Sequence, residues 1–368
     1  MSLIDIFNKN KDTKIQSCLC GIDCGFGYYK ISSGDTNLKF ISIVGEPVSD
    51  FARTAAVSSM NELLNALAIT YNGKKYYVGR NAIVNTRNGR ISLRQSNNDD
   101  IQTKIKIMTA LGLLTNEDQT DAEFDIVVGL PVLEYKNSHE KLYNLLVNGN
   151  HPFEFIMHYG NNEVLKKIKL NNIKVISQGE AAFYSYIIDL DGEIIKSRAE
   201  NVAGVVMIVD IGYKTTDIVT MENGRYIEPL SDQLNKGVSQ IHQEVLRLTM
   251  EQHNVKKELK DMDDIVRTGK LFHNRNEYDM SNIIREAAKP FAEDIVENLY
   301  TINNGDLGSL QTILLTGGGA EIVFPYIKDI LKQIVNVEKL YNAEFSNSQG
   351  YYRYGKLLKN KGMFGANA

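Results

Sequence analysis

Asp23 and Asp210 each stand near the end of an apolar run and are followed, two residues later, by glycine. The segments read Gly21-Ile22-Asp23-Cys24-Gly25-Phe26-Gly27-Tyr28-Tyr29-Lys30 and Val209-Asp210-Ile211-Gly212-Tyr213-Lys214-Thr215-Thr216-Asp217. Both give an apolar run, Asp-x-Gly, an aromatic, polar residues and a second apolar run: a strand, a tight turn and a strand, used twice. Glycine lets the backbone approach a bulky anion and present its N–H groups to it. An aspartate at a strand end can hold a hydrated divalent cation. Two such turns facing each other would clamp a polyphosphate and its Mg²⁺. Thr312-Ile313-Leu314-Leu315-Thr316-Gly317-Gly318-Gly319-Ala320 adds a buried strand opening onto three glycines and a helix, a further nucleotide-friendly corner.

These residues need a scaffold that repeats. At 368 residues the chain exceeds the usual limit for one core, so two domains with a cleft between them are expected. In the first half the pattern predicts strand, turn and strand over 15–31, a third extended piece over 40–45, and a small subdomain or insertion over 46–100 with turns at Asn72-Gly73 and Asn88-Gly89. A helix over 101–114 follows, then a strand over 124–131 ended by Gly and Pro, a helix over 138–147, a hairpin over 153–170 and a short strand over 173–176. Gly179 to Ile188 reads as a helix joining the domains. The second half restarts the plan with strands over 205–211, 217–221 and 225–227, a helix over 239–250, and a charged helical stretch over 254–304. An amphipathic helix through Ile322, Tyr326, Ile330 and Ile334 follows the triple glycine. Residues 1–14 read as a terminal tail or short amphipathic arm.

Taken singly, an Asp-x-Gly turn is a hairpin and Gly317-Gly318-Gly319 is a loop; the ordered set is what points to a nucleotide. In that order the residues resemble the actin-like ATPase superfamily, with its two phosphate turns, two interdomain connecting segments and glycine-rich adenosine turn. The resemblance covers residues 15–358 and is strongest to the plasmid-segregation actins of the ParM type and their archaeal and phage relatives. Supporting text includes Tyr77-Val78-Gly79-Arg80-Asn81-Ala82, Val128-Gly129-Leu130-Pro131 and 347–355.

The resemblance implies an α/β, actin-like (ribonuclease H-like) duplicated fold: domain I over 15–178, domain II over 179–340, and a segment over 341–368 returning to domain I. It implies ATP or ADP, with GTP as the alternative, held by Asp23, Gly25, Phe26, Gly27, Tyr28, Tyr29 and Lys30 at the first turn. Gly212, Tyr213, Lys214, Thr215, Thr216 and Asp217 would serve at the second, and Gly317, Gly318 and Gly319 at the adenosine. Lys214 is read equally as an exposed turn lysine, and Gly237 more simply as a helix-start turn. Tyr28 and Tyr29 depart from the small polar residues of relatives, which leaves backbone amides as the donors there. Lys30 would neutralise phosphate charge, and Asp23 and Asp210 would hold Mg²⁺ through water. Gln178 and Glu180 would orient the attacking water, with Glu180 or Asp210 accepting its proton.

The implied function is a cytoplasmic, nucleotide-dependent filament that segregates plasmid DNA through a DNA-binding adaptor. A small-molecule kinase or phosphatase of the same superfold is the alternative, and no acceptor-site motif speaks for it. Composition agrees with the first. Net charge is −4, and the 41 basic and 45 acidic residues are interspersed, which argues against direct nucleic-acid binding. No run approaches the roughly 20 apolar residues of a membrane span. Cys18, Cys20 and Cys24 fit no zinc spacing and read as small buried apolar residues in a reduced setting; the six histidines share no ligand spacing. The 19 tyrosines lack basic interleaving and are expected in packing rather than base stacking.

Overall fold

The computed structural model describes residues 18–48, 57–86 and 100–364. The expected N-terminal tail over 1–14 and the turn at Asn88-Gly89 lie outside them. The chain divides into two compact units, one of residues 1–194 with 347–368, the other of residues 195–346.

The first unit's strands are β1 (Cys18–Cys24), β2 (Tyr28–Ser33), β3 (Thr36–Ile41), β4 (Val44–Gly45), β5 (Ala68–Tyr71), β6 (Lys74–Val78), β7 (Asp121–Leu130), β8 (Phe153–Tyr159) and β9 (Asn162–Ser177). Among the described residues they form one sheet in the order β3-β2-β1-β7-β9-β8-β5-β6-β4. β1 is antiparallel to β2 and parallel to β7, and β7 is parallel to β9. Parallel strands are covered on both faces, so β1 and β7 read as near-continuous apolar runs; Ile22, Ile126, Val127 and Val128 are fully buried. Fully burying such a side chain contributes roughly 1.5–3 kcal/mol.

Two features differ from the sequence reading. The stretch expected to be a small subdomain or insertion supplies β5, which pairs with β8, and so extends the main sheet through β6 and β4. The second arm of the hairpin over 153–170 and the short strand over 173–176 are joined in one 16-residue strand, β9, irregular only where its register on β7 shifts near Asn171. The helix Ser346–Asn360 packs on this unit through Tyr351, which is buried against Val127, Ile176 and Ala181. Gly129 makes room for it: a Cβ there would lie 1.9 Å from Tyr351 Oη. Cys20 and Cys24 are buried as expected, whereas Cys18 is exposed at the strand's start, its Sγ 3.3 Å from Ser33 Oγ.

The second unit has β10 (Val205–Ile211), β11 (Thr216–Glu222), β12 (Arg225–Tyr226), β13 (Asp232–Leu234), β14 (Lys270–His273), β15 (Asn276–Asp279), β16 (Thr312–Thr316) and β17 (Asn336–Lys339). Its main sheet runs β12-β11-β10-β16-β17, with β13 also on β11. An antiparallel hairpin followed by two parallel strands is the path β2-β1-β7-β9 again. The duplication expected from the two turns is therefore a duplication of sheet topology.

The charged stretch over 254–304 is not continuously helical. Helices Met262–Thr268 and Ser281–Ile302 flank the hairpin β14–β15, whose turn places Asn274 and Arg275 at φ 49° and 67°. Asparagine tolerates that left-handed conformation, but without a glycine the turn left little mark in the sequence. The helix after the triple glycine, Ala320–Leu331, buries Val323, Ile327 and Leu331 rather than the expected stripe; Ile330 and Ile334 are exposed.

Candidate functional site: two Asp-x-Gly corners

In an open sheet, the carboxyl ends of parallel strands are where side chains and helix starts converge on a ligand. In the first unit β1 brings Asp23 to that edge, and β9 leads straight into the helix Gln178–Ile187. Asp23 is buried, and its Oδ1 accepts a 2.8 Å hydrogen bond from Gln178 Nε2. Lys30 stands opposite Asp23 in the β1–β2 register, its Nζ 3.4 Å from Asp23 Oδ2. A hairpin pair and a residue 155 positions further along thus form one chain of contacts.

The turn between them is tight. A Cβ on Gly25 would lie 2.6 Å from the carbonyl oxygen of Tyr28, and the Gly27 carbonyl accepts from Ser42 N–H at 2.9 Å. The adjoining tyrosines point differently. Tyr29 is buried, stacks on Phe40 with centroids 5.7 Å apart and carries Lys106 over its ring, so its side chain belongs to the core and only its backbone is left for a ligand. Burial pushes the facing Cys24 thiol up to about 12, which makes it inert as a nucleophile. Tyr28 is half-buried and carries Lys39 over its ring at 4.8 Å.

Glu180 departs from its expected part. Its Oε2 accepts from both the N–H and the hydroxyl of Ser177, while Ser177 Oγ accepts from Glu180 N–H. This reciprocal box satisfies orphan N–H groups at the helix start. The carboxylate expected to handle water is thus engaged in fixing the helix that carries Gln178. The Ser177-x-x-Glu180 spacing is the sequence signal of such a box.

In the second unit β10 delivers Asp210 and β16 delivers the triple glycine to one edge, with Asp210 and Thr316 in register. Gly317 has φ +82°, and a Cβ there would lie 2.3 Å from Asp210 Oδ1. Gly317 and Asp210 are therefore immediate neighbours. Around Gly318 no atom approaches within 4 Å of where a Cβ would be, so this turn has an open face. Gly317 N–H donates to the Ala343 carbonyl and Gly319 N–H to that of Ile211, which fixes the loop from behind.

The hairpin β10–β11 sets Asp210 opposite Asp217. Gln233 on β13 lies in register with Asp217 and donates to its Oδ1 at 2.7 Å, a partner no local signal in the sequence announced. Gly212 N–H bonds the Thr215 carbonyl and closes the turn over Tyr213 and Lys214. Gly237 lies behind this turn: Val238 and Ser239, at the start of the helix Val238–His253, donate their N–H groups to the Gly212 and Tyr213 carbonyls. Thr216 Oγ1 donates to the Lys236 carbonyl, and Lys236 Nζ pairs with Asp294 at 2.6 Å. Tyr213 packs edge-on against buried His242, and burial lowers the His242 and Lys214 pKa values and raises that of Tyr213. Among the described residues no group of three or more His, Cys, Asp or Glu side chains forms a ready metal cage.

A sheet path built twice, each copy ending in an Asp-x-Gly corner, defines a mixed α/β protein of the actin-like class. Family comparison agrees. Residues 21–180 match the model of the N-terminal domain of actin-like proteins, and residues 208–329 match that of the C-terminal domain of the archaeal MreB-like actin homologues. The chain belongs to the actin-like superfamily. Among solved structures it is similar to ParM in a 15-stranded filament from Clostridium botulinum, at 22% identity and TM-score 0.73, over 93% of this chain and 99% of that one. Apo pSK41 ParM aligns at 20% identity and TM-score 0.68, over 94% and 98% of the two chains. An archaeal actin homolog in complex with ADP aligns at 15% and 0.68, over 91% and 98%. At these identities the likeness is one of fold. No curated protein matches the chain in sequence. Among the described residues no helix is long and apolar enough to cross a membrane.

Proposed function

We propose that this chain is a nucleotide-dependent, filament-forming ATPase of the ParM type, which moves plasmid DNA held by a DNA-binding adaptor in the cytoplasm. The carrying observation is the pair of corners: Asp23 with Lys30 and Gln178 in one unit, Asp210 against Gly317 in the other. In this reading Lys30 and the backbone amides of residues 25–29 meet phosphate oxygens, and those of 212–216 do so in the second unit. The open face at Gly318 takes the nucleoside. ATP is the nucleotide favoured, with GTP the alternative.

Mg²⁺, held through water by Asp210, would neutralise developing phosphate charge. Asp23 has a different part from the one its twin plays: with its oxygens facing Gln178 and Lys30, it orients the glutamine that positions the attacking water. A glutamine cannot take the proton, so Asp210 is the candidate acceptor, and hydrolysis is slow, as a timing switch requires. Support for self-assembly comes from the filament structures with this fold. Contacts that join different surfaces head to tail without closing generate such polymers.

The test is light scattering and sedimentation of the purified chain with ATP and Mg²⁺. Nucleotide-dependent polymer at tens of micromolar, a concentration where weak repeated contacts assemble, is expected. A protein that stays monomeric with every nucleotide tried contradicts the reading.

A further inference from the structure

The first unit holds a cavity of about 870 Å³ that the nucleotide corners do not use. Every residue from 169 to 175 in succession borders it. Successive strand residues point to opposite faces, so a run that lines a cavity without a gap does so with its edge. The pairing explains this. β8 leaves β9 at the pair Phe153 with Ile168, while β9 continues to Ser177 on β7 alone. From residue 169 onward the other edge of β9 has no strand partner among the described residues. Such an edge presents a row of N–H and C=O groups, a template for another strand.

The rest of the wall fits an extended chain. The helix Val132–Val147 contributes Tyr135 and Leu146, and the C-terminal segment contributes Tyr354 and Phe364. Asn171 and Asn172 turn their amides toward β7, donating to Glu123 and Asp125 at 2.8 and 2.7 Å, which ties the irregular part of β9 to its neighbour. The charged lining residues are Lys169, Lys174 and Glu140, joined by His139 and His151. The balance is positive in a chain whose net charge is −4.

We propose that this cavity is a strand-addition site for an acidic, extended segment of a partner protein. The segment pairs its backbone with residues 169–175, sets carboxylates against Lys169 and Lys174, and places alternate apolar side chains against Leu170, Ile173 and Phe364. Main-chain hydrogen bonds give such a complex its affinity and the side-chain pockets give it specificity. The same lysines disfavour a second copy of this strand, because like charges would face each other across the pair. The site is independent of the nucleotide corners, and its failure would leave the proposed function untouched.

The probe is a fluorescein-labelled eight-residue peptide alternating valine and glutamate, added to the full-length protein and followed by anisotropy at low salt. Binding is expected, with slowed amide exchange at residues 169–175. A peptide of the same charge with alternate amides N-methylated, which removes strand donors, should not bind, nor should one alternating valine and lysine. Lys169→Glu combined with Lys174→Glu should weaken binding roughly tenfold, by loss of the complementary charges. The N-methylated control needs no variant to fold, so the proposal stays testable if the double variant melts early. Equal binding of the N-methylated peptide, equal binding by a folded double variant, no binding at all, or tighter capture of a single-stranded oligonucleotide would each overturn it.

Discussion

The two corners share a backbone and differ in charge. In the first, register sets an ammonium opposite a carboxylate, Lys30 facing Asp23; in the second it sets carboxylate opposite carboxylate, Asp217 facing Asp210. Opposite charges in directly opposed pairs stabilise a hairpin and like charges destabilise it. The comparison teaches that one sheet path can carry corners of different charge, one that brings its own cation to its carboxylate and one that sets two carboxylates side by side. The corners also differ in tightness. A Cβ at Gly25 would meet backbone at 2.6 Å, whereas at the matching Gly212 the nearest atom would be 3.1 Å away.

Substitutions can break this contrast. The largest effect is expected for Asp210→Ala, which should slow hydrolysis by about 10²–10⁴ while nucleotide binding survives, if Asp210 orders water or accepts its proton. Single-turnover rates measure it, and an unchanged rate removes Asp210 from the chemistry. Gln178→Ala in parallel should also slow turnover without abolishing binding.

Stability separates the corners next. Lys30→Met leaves Asp23 buried without its ammonium and should cost about 1–3 kcal/mol, whereas Asp217→Asn should be neutral or gain up to ~1 kcal/mol by removing the like-charge pair. Denaturant titration reads the sign, and destabilisation of equal size in both would erase the proposed asymmetry. Gly25→Ala should cost about 1–3 kcal/mol from overpacking against backbone, and Gly212→Ala under about 1 kcal/mol because the neighbour need give only a few tenths of an ångström. A calorimetric Tm that falls equally in both would contradict the difference in tightness.

The smallest effect concerns pH. Burial holds the His242 imidazole below its ordinary value of 6.5, with Asp263 opposing the shift. The folded state therefore binds that proton less tightly than the unfolded chain does. Its contribution to stability is complete above pH 6.5 and is lost as the pH falls below. In the first unit His158, lowered chiefly by burial and also by Lys75, with Glu163 opposing, titrates in the same direction. His242→Gln should flatten the acid-side loss in the second unit, measured as the difference from the parent between pH 7 and 5; an unaltered profile would exclude His242 as its source.

Much of this was legible in the residues because the signals were local. Strand β10 falls on the expected 205–211, and both hairpins lie where Asp-x-Gly placed them, since apolar runs and glycine turns act within a few residues. The pairing of distant strands was not legible. Nothing in 46–100 says that β5 will join β8, and nothing near Asp217 says that Gln233 will reach it. Ala320–Leu331 shows a third kind of miss: apolar residues lie on more than one face of this helix, and burial chose Val323, Ile327 and Leu331 because of what the neighbouring helix Ser281–Ile302 and strands β16 and β17 offered. Within the site, residue types gave the chemistry, and the fold decided that Glu180 caps a helix while Gln178 meets Asp23.

The most direct test is amide hydrogen exchange with and without ATP and Mg²⁺, read peptide by peptide. The account predicts slowed exchange at residues 25–30, 212–217 and 317–319 together, at one nucleotide concentration. Protection confined to one unit, or falling on none of the three segments while nucleotide is demonstrably bound, would contradict it.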